Sequence, residues 1–304
     1  MTTKELQERI IALKKETDTC ILAHTYQAHE ILEIADITGD SFQLSRLAAK
    51  TSSRRLLMCG VRFMAETAKL LAPDRQVVLA SPDAGCPMAE QFTREDILAL
   101  RQRYPDHAVV SYINTTAAIK TVSDVCVTSA SALKIVRNLE NDKILFIPDC
   151  NLGAYVAENV PEKQLTLVKG GCPLHAAVTK EEAETAKKKH PNALFLVHPE
   201  CKKEVQEMAD FVGSTSAIME FAEKSAHGEF IIGTENSIVT HLQYLCPDKR
   251  FYPVSARLIC SDMRLTTLPD VLACLEGKAG DEIILDDETL RLARRPIDEM
   301  IRLG

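Results

Sequence analysis

The stretch KGGCPLH at 169–175 decides how the fold is interpreted, because it has two counterparts, DAGCPM at 83–88 and LICSDM at 258–263. The cysteines of these stretches, Cys86, Cys172 and Cys260, follow one another at intervals of 86 and 88 positions. Repeats in solenoid proteins are typically about 20 to 50 residues long. The longer interval therefore predicts duplicated domains, each ending in a cysteine.

Two further sets of residues keep the same interval. The apolar runs ILAHTY at 21–26, VVSYIN at 109–114 and LFLVHPE at 194–200 end in polar residues, which are His24 and Tyr26, Tyr112 and Asn114, and His198 and Glu200. The hydroxyl residues Ser41, Ser129 and Thr215 are each followed, 15 positions later, by another apolar run. Three independent markers with one period indicate a triplicated unit.

Within each unit, short apolar runs alternate with segments whose apolar residues recur at helical spacing. This alternation is typical of parallel sheets that are covered by helices on both faces. We therefore predict an α/β fold of three αβα sandwich domains, related by pseudo-threefold symmetry around a central site. The predicted domains are 1–87, 88–173 and 174–261, with the C-terminal segment 262–304 packing on the first.

Composition disfavours several classes of protein. The net charge of −7 gives no basic surface to attract nucleic acid or an anionic membrane. The N-terminal stretch lacks the apolar core of a secretory signal, and no apolar run approaches the roughly 18 residues of a membrane span. We therefore expect a cytoplasmic protein. In that reducing compartment the ten cysteines are expected to be buried thiols, metal ligands or redox groups, not a disulfide framework.

Polar residues at the ends of the predicted strands are candidates for binding and catalysis, because ligands of open parallel sheets lie beyond the carboxyl ends of the strands. This group comprises His24, Tyr26, Tyr112, Asn114, His198 and Glu200. A second group lies just before or at predicted helix starts, where free backbone N–H groups favour anions, and comprises Ser41, Ser129, Ser214 and Thr215. Hydroxyl residues at such positions also act as plain N-caps, and a carboxylate such as Glu200 at a helix start also complements the helix dipole.

The cysteines fall into two groups. Seven lie inside or beside apolar or helical segments and are expected to be buried thiols. Cys86 and Cys172 each follow a glycine in a predicted turn, and Cys260 completes the set by its spacing. Three such thiolates can hold three irons of a cubane cluster and leave the fourth iron open, but a three-cysteine zinc site fits the same spacing. His175, three residues after Cys172, is interpreted as a core or capping histidine.

Longer motifs carry a family resemblance. In chain order they are AHTYQ, GDSFQLSRLAAKT, FMAETAKLL, DAGCPMAE, SYINTTAAIKTVSD, TSASALKIV, PDCNLGAYVAE, HPEC, DFVGSTS and GTE. With these motifs spread over nearly the whole chain, the sequence resembles quinolinate synthase, the A protein of bacterial NAD biosynthesis. The resemblance implies three αβα domains around one 4Fe-4S cluster per chain, held by Cys86, Cys172 and Cys260.

The resemblance also implies a reaction, in which iminoaspartate (iminosuccinate) condenses with dihydroxyacetone phosphate to give quinolinate, phosphate and water. The open iron is expected to act as a Lewis acid, Glu200 as general base, Tyr26 and Tyr112 as proton donors or relays, and His198 as an assisting group. The residues expected to bind substrate are His24, Ser41, Tyr112, Asn114, Ser129, His198, Glu200, Ser214 and Thr215. L-aspartate oxidase, the source of the unstable imine, is expected to make at most a transient contact.

Three other functions fit part of the same pattern. A three-cysteine cluster also serves iron–sulfur sensors and scaffolds, and a triplicated fold also suits a small-molecule binding protein without turnover. A cluster-dependent hydro-lyase acting on another hydroxy or keto acid would use the same open iron. A sensor has no need for Tyr26, Tyr112 and Glu200 together at strand ends, so this combination favours an enzyme.

Overall fold

Three sheets built of parallel strands carry the repeat that the sequence shows. The structure is a computed structural model that describes residues 1–48 and 50–304, with the backbone alone for residues 42, 45 and 46. Each sheet contains four parallel strands, and helices flank the sheets. The predicted α/β class with parallel sheets is therefore confirmed.

The first sheet follows a helix with a strong start signal. Its parallel strands are β1 (Thr19–His24), β2 (Ile37–Gly39), β3 (Arg55–Cys59) and β4 (Gln76–Leu79), and its helices are α1 (Thr3–Glu16), α2 (His29–Leu32), α3 (Ser41–Ala48) and α4 (Arg62–Leu71). A capping box of Thr2 and Glu5 begins α1. All six residues of β1 are buried, as expected for a parallel strand covered on both faces.

The second sheet repeats this plan. Its strands are β5 (Ala108–Tyr112), β6 (Val125–Val127), β7 (Lys143–Ile147) and β8 (Gln164–Leu167), and its helices are α5 (Arg94–Arg103), α6 (Ala117–Lys120), α7 (Ala132–Asn138) and α8 (Cys150–Asn159). A capping box of Thr93 and Asp96 begins α5, the counterpart of α1. Asp149 caps α8, because its side chain accepts from the backbone N–H groups of Asn151 and Leu152.

The third sheet completes the repeat. Its strands are β9 (Leu194–Val197), β10 (Phe211–Val212), β11 (Glu229–Gly233) and β12 (Arg250–Pro253), and its helices are α9 (Pro173–Ala176), α10 (Lys180–Lys189), α11 (Lys203–Gln206), α12 (Thr215–Lys224) and α13 (Ser237–Leu245). Thr179 and Glu182 form the capping box that begins α10. The short α9 starts directly after Cys172, with Pro173 at its first position.

The C-terminal segment adds two α-helices, as its sequence predicts, and a short strand that was not expected. A 3₁₀ helix at Asp262–Arg264 is followed by α14 (Leu268–Leu275), β13 (Asp281–Glu282) and α15 (Asp287–Leu303). Strand β13 pairs antiparallel with β4 and extends the first sheet. Ile10 of α1 and Val271 of α14 pack with Ile21 and Leu57 in the core of that sheet.

The strand order is the same in all three sheets. It is β2-β1-β3-β4 in the first, β6-β5-β7-β8 in the second and β10-β9-β11-β12 in the third. The strands β1, β5 and β9 are therefore structural counterparts, and so are β3, β7 and β11. Residues that follow counterpart strands at the same distance occupy equivalent places, which gives the repeat a structural definition.

In each sheet an aspartate beside one strand forms two hydrogen bonds with the backbone of the neighbouring strand. The Asp36 side chain accepts from the backbone N–H of Ile21 at 2.8 Å, while the Asp36 N–H donates to the Ile21 carbonyl at 2.9 Å. The corresponding distances are 2.7 and 2.9 Å for Asp124 with Val109, and 2.7 and 2.8 Å for Asp210 with Phe195. The three aspartates are 88 and 86 positions apart, so this contact is a fourth periodic marker of the repeat.

The described chain forms two compact units. Unit 1 comprises 1–90, 114–122 and 261–295 and contains the first sheet, whereas unit 2 comprises 91–113, 123–260 and 296–304 and contains the second and third sheets. The domain boundaries expected from the sequence repeat stay a prediction. Within the part of the chain that the structure describes, no helix has the length and apolar character of a membrane span.

Candidate active site

Polar residues stand at the ends of the counterpart strands. His24 is the last residue of β1, Tyr112 is the last residue of β5, and His198 directly follows β9. All three side chains are buried. In a parallel sheet this edge is where ligands bind, so the positions suit a site.

His24 and His198 are held by the same backbone contact. The N–H of Tyr26 donates to Nδ1 of His24 at 3.1 Å, and the N–H of Glu200 donates to Nδ1 of His198 at 3.3 Å. A ring nitrogen that accepts a hydrogen bond carries no proton, so the neutral ring has its proton on Nε2. Both histidines are thereby set as Nε2–H donors.

Glu200 is the centre of a buried polar group in unit 2. The Tyr112 hydroxyl donates to Oε1 at 2.7 Å, Nδ1 of His175 lies 2.8 Å from Oε2, and Nδ1 of His198 lies 3.9 Å from Oε1. The Asn151 side-chain amide donates to the Glu200 backbone carbonyl at 3.0 Å. The side chain of Glu200 is only 4% exposed, so these contacts fix its orientation.

His175 belongs to this group, although the sequence analysis assigned it a core or capping role. Its Nδ1 lies 3.3 Å from Sγ of Cys172, and its Nε2 lies 3.0 Å from Oγ1 of Thr234. Because Nδ1 also faces the Glu200 carboxylate, it carries the proton, and Nε2 accepts from the Thr234 hydroxyl. The spacing of three residues in CPLH was the available signal, since it puts both side chains on one face of a helical turn.

The charges in the group support an ionised Glu200. Burial by itself raises the pKa of Glu200, but the positive charge of His198 and His175 when their rings are protonated, with the hydrogen bonds from His175 and Tyr112, outweighs it and holds this pKa below its usual range. The buried Asp149 has its pKa raised, first by burial and then by the negative charge of Glu200. Glu200 is therefore a carboxylate at neutral pH.

The predicted metal-binding cysteines differ from most others in exposure. Cys86, Cys172 and Cys260 are partly exposed, whereas five others, Cys20, Cys59, Cys126, Cys201 and Cys274, are buried. Burial raises the pKa of the Cys59 and Cys201 thiols, which makes them poor sources of thiolate. The expectation of burial is wrong for Cys150 and Cys246, which are partly exposed because each lies at a helix end.

One of the predicted ligands lies in a group that is able to hold a metal. Cys172, His175 and Glu200 each offer a ligand atom, and these atoms lie within 4.8 Å of one another. Thiolate and imidazole are ligands that suit transition metals. Cys260 lies in unit 2 with Cys172, and Cys86 lies in unit 1. The ligand set of three cysteines stays a prediction.

The hydroxyl residues lie at or near helix starts. Ser41 begins α3, Ser214 caps α12 by accepting from the N–H of Ala217 at 3.2 Å, and the buried Thr215 is the first residue of α12. Ser129 lies in the turn before α7. Free N–H groups at the start of a helix such as α12 suit a carboxylate or phosphate.

Four of the predicted catalytic and substrate-binding residues belong to unit 1, namely His24, Tyr26, Ser41 and Asn114. The Tyr26 ring contacts His24 edge-on, with centroids 4.5 Å apart. Oδ1 of Asn114 is buried and has no hydrogen-bond partner in the described residues. A buried acceptor without a partner is costly, so this amide suits a ligand that donates a hydrogen bond.

The parallel sheets and the buried polar group define an α/β protein with a metal-capable site beyond its strand ends. A family profile described as Quinolinate synthetase A protein matches residues 8–302. The chain is 46% identical to the quinolinate synthase of Caldicellulosiruptor bescii over 304 residues, with full coverage of both chains. It is 47% identical to that of Clostridium kluyveri over 298 residues, with 98% of each covered. The chain therefore belongs to the quinolinate synthase family, as its motifs indicated.

Proposed function

We propose that this protein is a quinolinate synthase, which condenses iminoaspartate with dihydroxyacetone phosphate and releases phosphate and water for de novo NAD biosynthesis in the cytoplasm. Relatives that match this chain over 98% or more of both lengths carry that name. The observation that carries the proposal is the buried contact of Glu200 with Tyr112 and His175, beside the thiol of Cys172. Contact with L-aspartate oxidase stays a prediction.

We infer that Cys86, Cys172 and Cys260 hold a 4Fe-4S cluster. The donor set fits this group, because the three thiols are partly exposed and one of them lies in a metal-capable group. When bound, a cluster with three protein ligands supplies an open iron that acts as a Lewis acid toward substrate oxygens.

The side chains of this group move the protons that the condensation requires. Glu200 is the general base, since it is ionised and its Oε1 accepts a hydrogen bond from the Tyr112 hydroxyl, which gives a substrate proton a route to the carboxylate. The Tyr112 hydroxyl passes its proton to Glu200 as it takes one from the substrate, and the transfer runs in reverse when the substrate requires a proton. His198 offers its Nε2–H to a substrate oxygen, and Tyr26 relays a proton next to His24.

The remaining residues recognise the charges of the substrates. Iminoaspartate carries two carboxylates, and dihydroxyacetone phosphate carries a phosphate. Backbone N–H groups at helix starts and nearby hydroxyls bind such anions, which assigns this role to Ser41, Ser129, Ser214 and Thr215. The unpartnered Oδ1 of Asn114 accepts from a substrate hydroxyl or imine N–H, and His24 donates from Nε2.

The proposal is tested on protein that is purified and reconstituted without oxygen. Iron, sulfide and the visible spectrum are measured first, and quinolinate is then assayed with freshly generated iminoaspartate and dihydroxyacetone phosphate. We expect about four irons and four sulfides per chain and formation of quinolinate. A cluster without product would favour a sensor or another hydro-lyase. Zinc, or no metal, would contradict the proposal.

Replacing Glu200 with glutamine tests its role as the general base. Glu200→Gln keeps the shape of the side chain but is unable to take up a proton, so we expect normal iron content and a loss of turnover of about 10²-fold or more. Glu204→Gln, an exposed acid four residues away on α11, is the matched control and should behave as wild type. Normal turnover in Glu200→Gln would remove Glu200 as the base.

A further inference from the structure

A side-chain carboxylate accepts a hydrogen bond from the backbone N–H of each predicted cluster cysteine. The N–H of Cys86 donates to Oε1 of Glu90 at 3.0 Å, and that of Cys172 donates to Oδ2 of Asp149 at 2.9 Å. The N–H of Cys260 donates to Oε1 of Glu235 in a longer contact of 3.4 Å. The same type of contact therefore occurs at all three positions.

The three acids do not all come from the same place in the repeat. Asp149 lies two residues after β7, and Glu235 lies two residues after the counterpart strand β11. The equivalent residue after β3 is Val61, which has no carboxylate. In this repeat the acceptor is Glu90, four residues after the cysteine itself. The first repeat thus keeps the contact, although the position that supplies the carboxylate in the other two repeats holds an apolar residue here.

Two of the three carboxylates are themselves anchored. Oδ1 of Asp149 accepts from the N–H groups of Asn151 and Leu152 at 2.9 and 2.8 Å, which leaves Oδ2 directed at Cys172. Oε2 of Glu235 accepts from the N–H of Ser237 at 2.8 Å. Asp149 and Glu235 are fully buried.

Glu90 differs from the other two because it is exposed, but it is held to Cys86 twice. Its side chain accepts from the Cys86 N–H, and its own backbone N–H donates to the Cys86 carbonyl at 3.1 Å. A substitution at an exposed side chain seldom disturbs folding. Glu90 is therefore the position at which the contact is best removed without other effects.

The cysteines need such an anchor because they lie outside the strands. Cys86 and Cys260 lie in irregular segments, and Cys172 precedes the four-residue helix α9. Backbone in such segments lacks the ladder bonds that fix a strand. A hydrogen bond to an ionised acceptor is stronger than one between neutral groups, so a carboxylate is an effective restraint.

We propose that Glu90, Asp149 and Glu235 are positioning residues for the iron–sulfur cluster, each fixing the backbone of one ligand cysteine. The proposal rests on the proposed function, because it requires Cys86, Cys172 and Cys260 to be the ligands. The carboxylates act through the peptide N–H and touch neither substrate nor metal. The negative charge of Glu90 and Glu235 near the thiolates also disfavours addition of an electron to the cluster, since net charge is among the determinants of its reduction potential.

The test compares Glu90→Ala with Glu90→Gln in the reconstituted holoenzyme. Alanine removes the acceptor, whereas glutamine keeps an oxygen at the same place and removes only the charge. Loss of iron to an excess of a chelator should be about tenfold faster in Glu90→Ala, the scale typical of groups that support metal ligands. Glu90→Gln should lose iron at nearly the wild-type rate. Glu95→Ala, at an exposed acid five residues further along the chain on α5, is the control.

The reduction potential separates positioning from a general loss of stability. Both Glu90→Gln and Glu235→Gln remove a negative charge and should shift the midpoint potential of the cluster to a more positive value, whereas Glu95→Gln should not. A midpoint that stays at the wild-type value in both would overturn the electrostatic part of the proposal. Iron loss from Glu90→Ala at the same rate as from Glu95→Ala would overturn the positioning part.

Measurements on the wild-type protein separate a failure of the positioning role from a failure of the proposed function. If it takes up about four irons and forms quinolinate while the variants match their controls, the positioning role fails and the proposed function stands. If the wild-type protein takes up no iron, the proposed function fails and the positioning role fails with it. Faster iron loss in Glu90→Ala with recovery in Glu90→Gln supports both.

Discussion

The Tyr112 hydroxyl donates a 2.7 Å hydrogen bond to Oε1 of Glu200, although the two residues are 88 positions apart and lie at the ends of strands in different sheets. Tyr112 ends β5 at the place where His24 ends β1, and His198 follows β9 at the equivalent point. The repeat therefore supplies three similar strand ends with different side chains. At one of these strand ends, Tyr112 contacts Glu200, which belongs to the next repeat.

Replacing Tyr112 with phenylalanine should slow turnover without loss of the cluster. The substitution removes the hydroxyl that donates to Glu200 but keeps the buried ring. Loss of one positioned proton donor typically lowers a rate by about 10²-fold or more. We expect this change mainly in kcat, with the iron content of wild type, measured on reconstituted protein. Tyr244→Phe, at an exposed tyrosine, is the control, and equal kcat in the two variants would contradict the assignment.

Replacing Asp210 with alanine should destabilise the third sheet. The change leaves the N–H of the fully buried Phe195 without its acceptor, which costs about 1–3 kcal/mol. The ion pair with Lys187 adds little, because its atoms are 3.9 Å apart and both side chains are more than one-third exposed. Denaturant unfolding should therefore show a lower midpoint for Asp210→Ala and a smaller loss for Asp210→Asn, which keeps an acceptor. Asp248→Ala, at an exposed aspartate, is the control. An unfolding midpoint of Asp210→Ala as high as that of Asp248→Ala would contradict the prediction.

The periodicity of the sequence was sufficient to predict the parallel sheets, because buried parallel strands need continuous apolar runs and helices between them. It was also sufficient to place His24, Tyr112 and His198 at strand ends. The aspartates Asp36 and Asp124 keep the same period and would have strengthened the inference. The antiparallel strand β13 was missed because two residues, Asp281 and Glu282, carry no pattern.

Side-chain partners were beyond the sequence for a physical reason. The link between Tyr112 and Glu200 depends on how two sheets pack, which the spacing of residues does not fix. His175 was interpreted as a core or capping residue, and it is indeed buried, but its partners are Cys172 and Glu200. The acid that contacts Cys86 is Glu90. The position in the first repeat that corresponds to Asp149 is occupied by Val61, so the period of the repeat would have predicted the wrong residue.

The pKa of Glu66 predicts a pH-dependent contribution to stability. Burial raises this pKa above its ordinary value of 4.5, and the hydrogen bond from the N–H of Ala117, 2.7 Å from Oε2, opposes the shift only in part. The folded protein therefore binds a proton more tightly than the unfolded chain. Its contribution to stability is fully present below pH 4.5 and is lost as the pH rises through the folded-state pKa.

A glutamine at position 66 keeps an acceptor for Ala117 and does not titrate, so the melting temperature of Glu66→Gln should gain on that of wild type as the pH rises from about 4.5 to 8. The measurement is thermal unfolding of the holoenzyme at several pH values. Glu95→Gln removes the same charge at an exposed position and serves as the control. Curves for Glu66→Gln and wild type that stay parallel across this range would contradict the expectation.

Replacement of any one of Cys86, Cys172 and Cys260 should abolish incorporation of the cluster, because two remaining thiolates are too few to hold a cubane with one open iron. The informative control is Cys246→Ala. Cys246 is also partly exposed, as the predicted ligands are, but it directly follows α13 and has no place in the threefold pattern. Cys59→Ala removes a buried thiol instead and should lower stability without changing iron content.

Iron and sulfide are measured per chain after identical anaerobic reconstitution. If Cys246→Ala lost its iron as the three ligand variants do, exposure and not position in the repeat would select the ligands. Full iron in any of the three alanine variants would remove that cysteine from the ligand set.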